Sequence, residues 1–512
     1  MPINWPALAV FVLLFALITV LGFVAVRWRR GDLDLLHEWG LAGSRFGTLI
    51  TWFLLGGDLY TAYTFIAVPA LMFGAGALGF FAVPYTIMVY PFVFVVFPRL
   101  WSVARRHGYI TAADFVRGRY GNKWLALAVA ITGIVATMPY IALQLVGIQV
   151  VIAALGIGGG GLAGDLPLVI AFVILAAFTY TSGLRAPAAI AIVKDVLIWV
   201  TVIVAIVAIP VQLGGYAKVF AAVPAAKLLL PAPQGPSLGL YSAYATLAFG
   251  SALALFLYPH SVTGVLSASN REAISRNAAF LPAYSFLLAL IALLGFMALA
   301  AGVAKAPQFA PLIRQYGPNA SVPALILAMF PSWFAGVAFA AIAIGALVPA
   351  AIMSIAASNL WTRNVYREFL RPECSPADEA RMAKLVSLIV KFGALVFILG
   401  LPLQYAIQLQ LLGGVWIIQT LPSVIVGLYT RWFHDRALFL GWLAGIVAGT
   451  AMAASQQFKP IYPLHLAGLT IPTYAAFASL VVNFIVVIVL TPIFTASGAE
   501  RGRDQTETGH YV

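Results

Sequence analysis

Long apolar runs recur from one end of the chain to the other, separated by short gaps that hold most of its charges. About 20 apolar residues wound as a helix cross the roughly 30 Å hydrocarbon core of a bilayer. The pattern predicts thirteen spanning helices, at about 6–26, 46–73, 78–97, 124–155, 166–184, 187–213, 239–262, 279–304, 333–360, 385–402, 404–428, 437–456 and 473–494. The gaps leave no room for a soluble domain, so residues 1–496 read as one membrane domain and 497–512 as a polar, disordered tail. The gap 214–240 carries four prolines and apolar patches, which predicts a structured cap or a partly re-entrant segment.

One run breaks the pattern. Between Phe46 and Phe73 stands Gly56-Gly57-Asp58-Leu59-Tyr60-Thr61-Ala62-Tyr63-Thr64. A carboxylate at membrane depth costs roughly 2.5–3.5 kcal/mol on insertion scales, which marks Asp58 as a functional candidate. Paired glycines weaken the helix, and irregular backbone at that depth is found only against protein or a wet cavity. The stretch predicts a broken helix lining a site for an ion and a solute.

Composition and charge fix the class and the orientation. Hydrophobic residues make up 62% of 512 and charged residues 9%, the profile of a polytopic helical membrane protein. The net charge of +13 is spread through the gaps and gathers on no one face, which argues against a nucleic-acid partner. With the N-terminus outside, 22 of the 29 Lys and Arg fall in inside gaps and the tail, against 5 in outside gaps. That is the positive-inside bias of a multi-pass protein of the cytoplasmic (inner) membrane with a cytoplasmic C-terminus. The first run is followed, not preceded, by Arg27, Arg29 and Arg30 and reads as a retained anchor. Cys374 stands alone, so no intrachain disulfide forms. Gly158 to Gly161 lacks the Gly-Lys-Ser/Thr ending of a phosphate loop, and His260 has no His or Cys at ligand spacing. No nucleophile–base pair or paired carboxylates appear. An enzyme, an organic cofactor and ATP-driven transport are therefore not expected, and no protein partner is evident.

Several motifs in order resemble the sodium/solute symporter family over nearly the whole chain. They are Thr111-Ala112-Ala113-Asp114-Phe115 with Arg119-Tyr120-Gly121, then Pro349 to Leu360 with Thr362-Arg363-Asn364-Val365-Tyr366, then Leu421-Pro422 and Gly427-Leu428-Tyr429. Within that family the chain looks most like bacterial monocarboxylate uptake permeases. The supporting strings are Ser182 to Pro187, Val193-Lys194-Asp195, Tyr258-Pro259-His260 and Ser267 to Asn270. The resemblance implies an all-α fold with a five-plus-five inverted-repeat core, the repeats at about 46–213 and 239–428, and a ligand site at the first helix of repeat one.

Carried over residue by residue, the resemblance implies sodium ligands at the carbonyls of Gly56, Leu59 and Ala351 and at hydroxyls at 354 and 355. Ser354 supplies one hydroxyl, and Ile355 has no oxygen where the other should be. Ser354 could also bond the carbonyl one turn back, as hydroxyls in membrane helices do. Asp58 would draw in the cation or hold orphan amides at the break. Asp195 matches a frequent family aspartate near the inner exit, and Lys194 beside it opens two readings. Its ammonium could sit at the sodium position and carry a coupled proton, or it could snorkel to the interface. The coupling ion is thus Na+ or H+.

Solute candidates are Tyr60, Thr61, Tyr63 and Thr64, with Tyr140 and Gln144 one turn apart beside the Pro139 kink. In helix eleven, where the family contacts solute, Gln404, Gln408 and Gln410 add amides. The same side chains could serve as interhelical glue. The implied activity is symport of a small organic solute, most simply lactate, pyruvate, acetate or propionate. An amino acid such as proline or alanine, a sugar or urea are the alternatives, as is a transporter-like sensor, which would need a signalling module.

Overall fold

The computed structural model describes residues 1–28, 31–57, 60–157, 162–399 and 406–512. Its principal helices are α1 (Trp5–Val24), α2 (Thr48–Gly57), α3 (Val68–Ala75), α4 (Tyr90–His107), α5 (Ala112–Tyr120), α6 (Lys123–Ala154), α7 (Leu162–Ser182) and α8 (Arg185–Gln212). They continue as α9 (Gly239–Leu255), α10 (Pro259–Leu266), α11 (Pro282–Ala292), α12 (Ser332–Trp361), α13 (Pro376–Leu399), α14 (Ile407–Ile417), α15 (Asp435–Ser455) and α16 (Ala475–Ala496).

Each of the thirteen predicted segments contains helix. Among the described residues, nine helices are long and apolar enough to cross a membrane. The number is ten if α9 and α10, bent by 47° against each other, form one span. Two interruptions set the architecture. The run 46–73 stops being one helix after Gly57 and resumes through a π-helical turn at Tyr63–Ala67 that leads into α3. Asp58 and Leu59 lie outside the described residues, as do Gly158 to Gly161 and Gln404. The second interruption falls at Phe256 to Tyr258, before Pro259, whose ring fixes the first turn of α10.

The centre of the bundle is α12. It packs against α1, α6, α8, α10 and α13, and 94% of its apolar window is buried. Half of its 30 residues are Ala, Gly or Ser, and small residues let helix backbones approach closely. A Cβ at Gly336 would collide with the Ala7 carbonyl of α1. By contrast α1, α15 and α16 bury a third or less of their windows and lie at the periphery.

The all-α expectation fails at one place. Residues 461–474 form an antiparallel hairpin, β1 (Ile461–Leu466) with β2 (Leu469–Tyr474). Its two-residue turn, Ala467-Gly468, has positive φ at both positions, the geometry that matches strand twist. The hairpin meets the proline-rich segment through Leu238 N–H to the Thr470 carbonyl at 3.0 Å. Two short helices, Tyr216–Ala222 and Ala225–Leu228, precede that segment.

The tail is a second correction. The polarity of 497–512 predicts disorder, yet Gln505 N–H bonds the Gly118 carbonyl at 2.8 Å, Asp504 pairs with Arg119, and Tyr511 is buried. Arg99 lies over the Tyr511 ring at 5.3 Å. The segment's own acid and aromatic fit basic residues of the loop helix α5 and of α4.

Candidate ion and solute site

The break after α2 leaves backbone carbonyls without helical partners, and Lys194 of α8 takes two of them. Its Nζ donates to the Gly57 carbonyl at 3.2 Å and to the Tyr60 carbonyl at 3.3 Å. The same ammonium lies 2.9 Å from Asp195, and both side chains are 0% exposed. Asp195 also accepts a bond of 2.7 Å from the Tyr284 hydroxyl of α11. Lys194 therefore does not snorkel. It is an interior cation, paired and hydrogen-bonded, the condition under which buried charge is tolerated. The carbonyls it holds are one residue on from Gly56 and Leu59. The Gly56 carbonyl instead accepts Tyr60 N–H at 3.2 Å.

On α12, which packs against α8 and α13, stand Ala351, Ser354 and Ile355. Ser354 Oγ donates back to the Ala351 carbonyl at 2.7 Å. Ser387 of α13 donates to Ser354 at 3.3 Å, and Lys391 donates to Ser387 Oγ at 2.6 Å. Every hydrogen bond in this chain runs the same way, from the buried Lys391 Nζ toward the Ala351 carbonyl. The two α12 oxygens expected to hold sodium thus end a chain that starts at one lysine, and the carbonyls of the break hold another. Ile355 is buried apolar core. The apolar pattern puts Lys391 inside a helix without giving it a role; its spacing of one turn from Ser387 is the signal that could have found it.

The solute candidates divide. Tyr60 turns toward the Lys194 side: its hydroxyl donates to the Tyr284 carbonyl at 3.2 Å and its ring packs on Tyr284 and Trp199. Thr61 Oγ accepts from Tyr63 N–H at 3.0 Å, and Thr64 is buried and has a partner. Gln144 Oε1 accepts Ala62 N–H at 3.0 Å, so α6 clamps the loosened backbone. Gly147 makes that approach possible, because a Cβ there would meet Ala62 at 2.5 Å. Tyr140 packs edge-on to Tyr258 and His260 at 5.2 and 5.3 Å between ring centres. The Tyr258 hydroxyl donates to the Gln410 carbonyl at 2.9 Å. Tyr63 faces Tyr85 at 6.2 Å. Tyr140, Gln144 and Gln410 thus come together with Tyr258 and His260, two residues that no sequence signal assigns to the site. Gln408 is half-buried on the same helix. Among the described residues no cluster of three His, Cys, Asp or Glu side chains could hold a metal ion.

A helical bundle with two interrupted helices and an enclosed ion pair beside one of them has the build of a secondary transporter, which binds its ligands where helices unwind. The chain belongs to the sodium:solute symporter family, whose profile matches residues 39–449. It is a multi-pass membrane protein and a cation-coupled symporter of a small solute. It is 52% identical over 507 residues to a monocarboxylate transport permease protein of Rhizobium johnstonii, covering 98% of this chain and 99% of that one. It is 33% identical over 493 residues to the uncharacterized symporter YodF of Bacillus subtilis, covering 96% and 94%. Its fold matches that of a Na+-coupled sialic acid symporter solved in a substrate-bound outward-open state, with TM-score 0.73, 15% identity and 96% and 98% coverage.

Proposed function

We propose that the chain imports short-chain monocarboxylates such as lactate, pyruvate, acetate or propionate across the cytoplasmic membrane, and that the coupled cation is a proton carried at Lys194. The observation behind the coupling is the Lys194 ammonium on the carbonyls of Gly57 and Tyr60 and on Asp195. A sodium ion on these carbonyls would have to displace the Lys194 ammonium, and on α12 it would lack an oxygen at Ile355. Like charges in a low-dielectric interior repel strongly. Asp195 and Tyr284 can hold the proton's site while the ammonium gives it up. The substrate class is supported by the permease that shares half of the residues over the full length. The topology under this reading is thirteen spans over residues 1–496 with the N-terminus outside. A five-plus-five core supplies the broken helices, and 497–512 forms a cytoplasmic tail.

Uptake into proteoliposomes tests this, with labelled monocarboxylates and amino acids and with proton and sodium gradients imposed separately. An inward proton gradient alone should drive accumulation of the monocarboxylates, and Lys194→Met should abolish it while leaving solute exchange at equal concentrations. Accumulation driven only by sodium, or proton-driven uptake that survives Lys194→Ala, would overturn the proton assignment.

A further inference from the structure

At the second helix break stands His260, a polar side chain that the ion chemistry above leaves unused. It is 0% exposed, and among the described residues neither Nδ1 nor Nε2 has a hydrogen-bond partner. A neutral imidazole brings a donor and an acceptor, and buried polar groups in folded proteins are nearly always satisfied. Two orphan nitrogens on one enclosed ring call for a partner from outside the protein. The Gln410 side-chain oxygen, on α14 where Tyr258 docks, is likewise buried and unpartnered among the described residues.

The surroundings say what that partner is. His260 stands in the first turn of α10, directly after the 47° bend, and the N-cap residue Tyr258 gives that turn no side-chain bond. Amides at the start of a helix favour negative charge. On its other side the ring lies against Tyr140, one turn from Gln144, which grips the break of α2 at Ala62. The imidazole thus stands on one interrupted helix and packs on the α6 residue one turn from the clamp on the other.

We infer that His260 is the group that recognises the carboxylate of the transported solute, donating a ring N–H to a carboxylate oxygen beside the start of α10. No arginine is needed for an anionic solute, because the imidazole and the helix end supply the donors. This rests on the monocarboxylate reading above.

The test uses the full chain in proteoliposomes and compares wild type with His260→Phe and His260→Gln. Phenylalanine keeps the ring packed on Tyr140 and removes both nitrogens; glutamine restores an N–H. Propionate uptake and its competition by propionamide are measured for each. A hydrogen bond to a charged group is worth about 1.5–3 kcal/mol, which is about 10- to 150-fold in affinity. His260→Phe should raise the KM for propionate at least about tenfold with the maximal rate nearly unchanged, and should erase the preference over propionamide. His260→Gln should recover most of the affinity. An unchanged KM in His260→Phe overturns the assignment, as does an equal loss of maximal rate in both variants, which would mean packing alone. If wild type takes up no carboxylate but does take up a neutral solute, the monocarboxylate reading fails first, visible without any variant, and this inference with it.

Discussion

Gly56 and Gly57 are adjacent, yet they exclude a side chain for different reasons. A Cβ on Gly56 would fall inside the ring of Tyr284, and that ring cannot yield without withdrawing its hydroxyl from Asp195. A Cβ on Gly57 would meet the tip of Lys194 at 2.7 Å, and the far end of a lysine can swing aside. Overpacking a rigid site costs typically 1–3 kcal/mol. Gly56→Ala should therefore lower the thermal midpoint of the purified protein by several degrees. Gly57→Ala should leave the melt within about a degree and reduce concentrative uptake, because it displaces the ammonium from the break. Equal melting losses in the two variants would mean that the Tyr284 ring yields as readily as the lysine tip. The glycine pair is legible in the sequence as a weak point in a helix. Its reason is not, because Tyr284 lies more than two hundred residues away and nothing local announces it.

At the scale of elements, the loop helix α5 shows how a motif does its structural work. Thr111 and Asp114 form a reciprocal capping box, with Thr111 Oγ accepting Asp114 N–H at 3.0 Å. Asp114 also accepts from Ile110 N–H at 2.9 Å and from Asn364 Nδ2 at 2.7 Å, which ties α5 to the end of α12. Burial pushes the Asp114 carboxyl above its usual range, against the opposing pull of Arg363 and these donors. The tail fastens the same helix from the other side through Arg119 and Asp504, and Arg119 also bonds the carbonyls of Gly427 at 3.0 Å and Thr430 at 2.8 Å. If the tail acts through Arg119, truncation before Glu500 and Arg119→Ala should each lower the melting midpoint, and together lower it by less than their sum. Strict additivity would show that the tail is held elsewhere. The motif is readable because its capping residues are three apart. The order of the tail is not, because its charge suits a disordered segment, and only the folded arrangement brings Arg119, Arg431 and Arg99 around it. The hairpin 461–474 carries a usable signal in its turn at Ala467-Gly468, but its strands are short and each holds a proline, Pro463 or Pro472, which argues against a strand in the sequence.

At the scale of the whole molecule, coupling requires one ion to be felt by helices from distant parts of the chain, here α2 at the break, α8, whose Lys194 reaches it, and α12, whose Gly345 faces the Tyr60 carbonyl. The apolar pattern and the family motifs make the bundle and the break legible. The occupant is not, because Lys194 is more than a hundred residues from the Gly57 and Tyr60 carbonyls it holds, and only the folded arrangement brings them together. The arrangement predicts what would turn the site toward sodium. Lys194→Ala frees the Gly57 and Tyr60 carbonyls. Lys391→Met removes the Nζ that bonds Ser387 and so releases Ser387 and Ser354. Ile355→Ser supplies the missing hydroxyl next to Ser354. The triple variant should be stabilised by sodium and not by potassium, whereas wild type and each single variant should be indifferent to both. A ligand at a hundred times its Kd stabilises by about 2.7 kcal/mol, so the shift should be plain in a melt at high sodium. Because the readout is the melt itself, a triple variant that does not fold is recognised at once, and the double variant that keeps Lys391 is then measured in its place. A folded variant that ignores sodium would mean that the carbonyls of the α2 break and the oxygens of α12 do not share an ion, and that Lys194 serves the break alone.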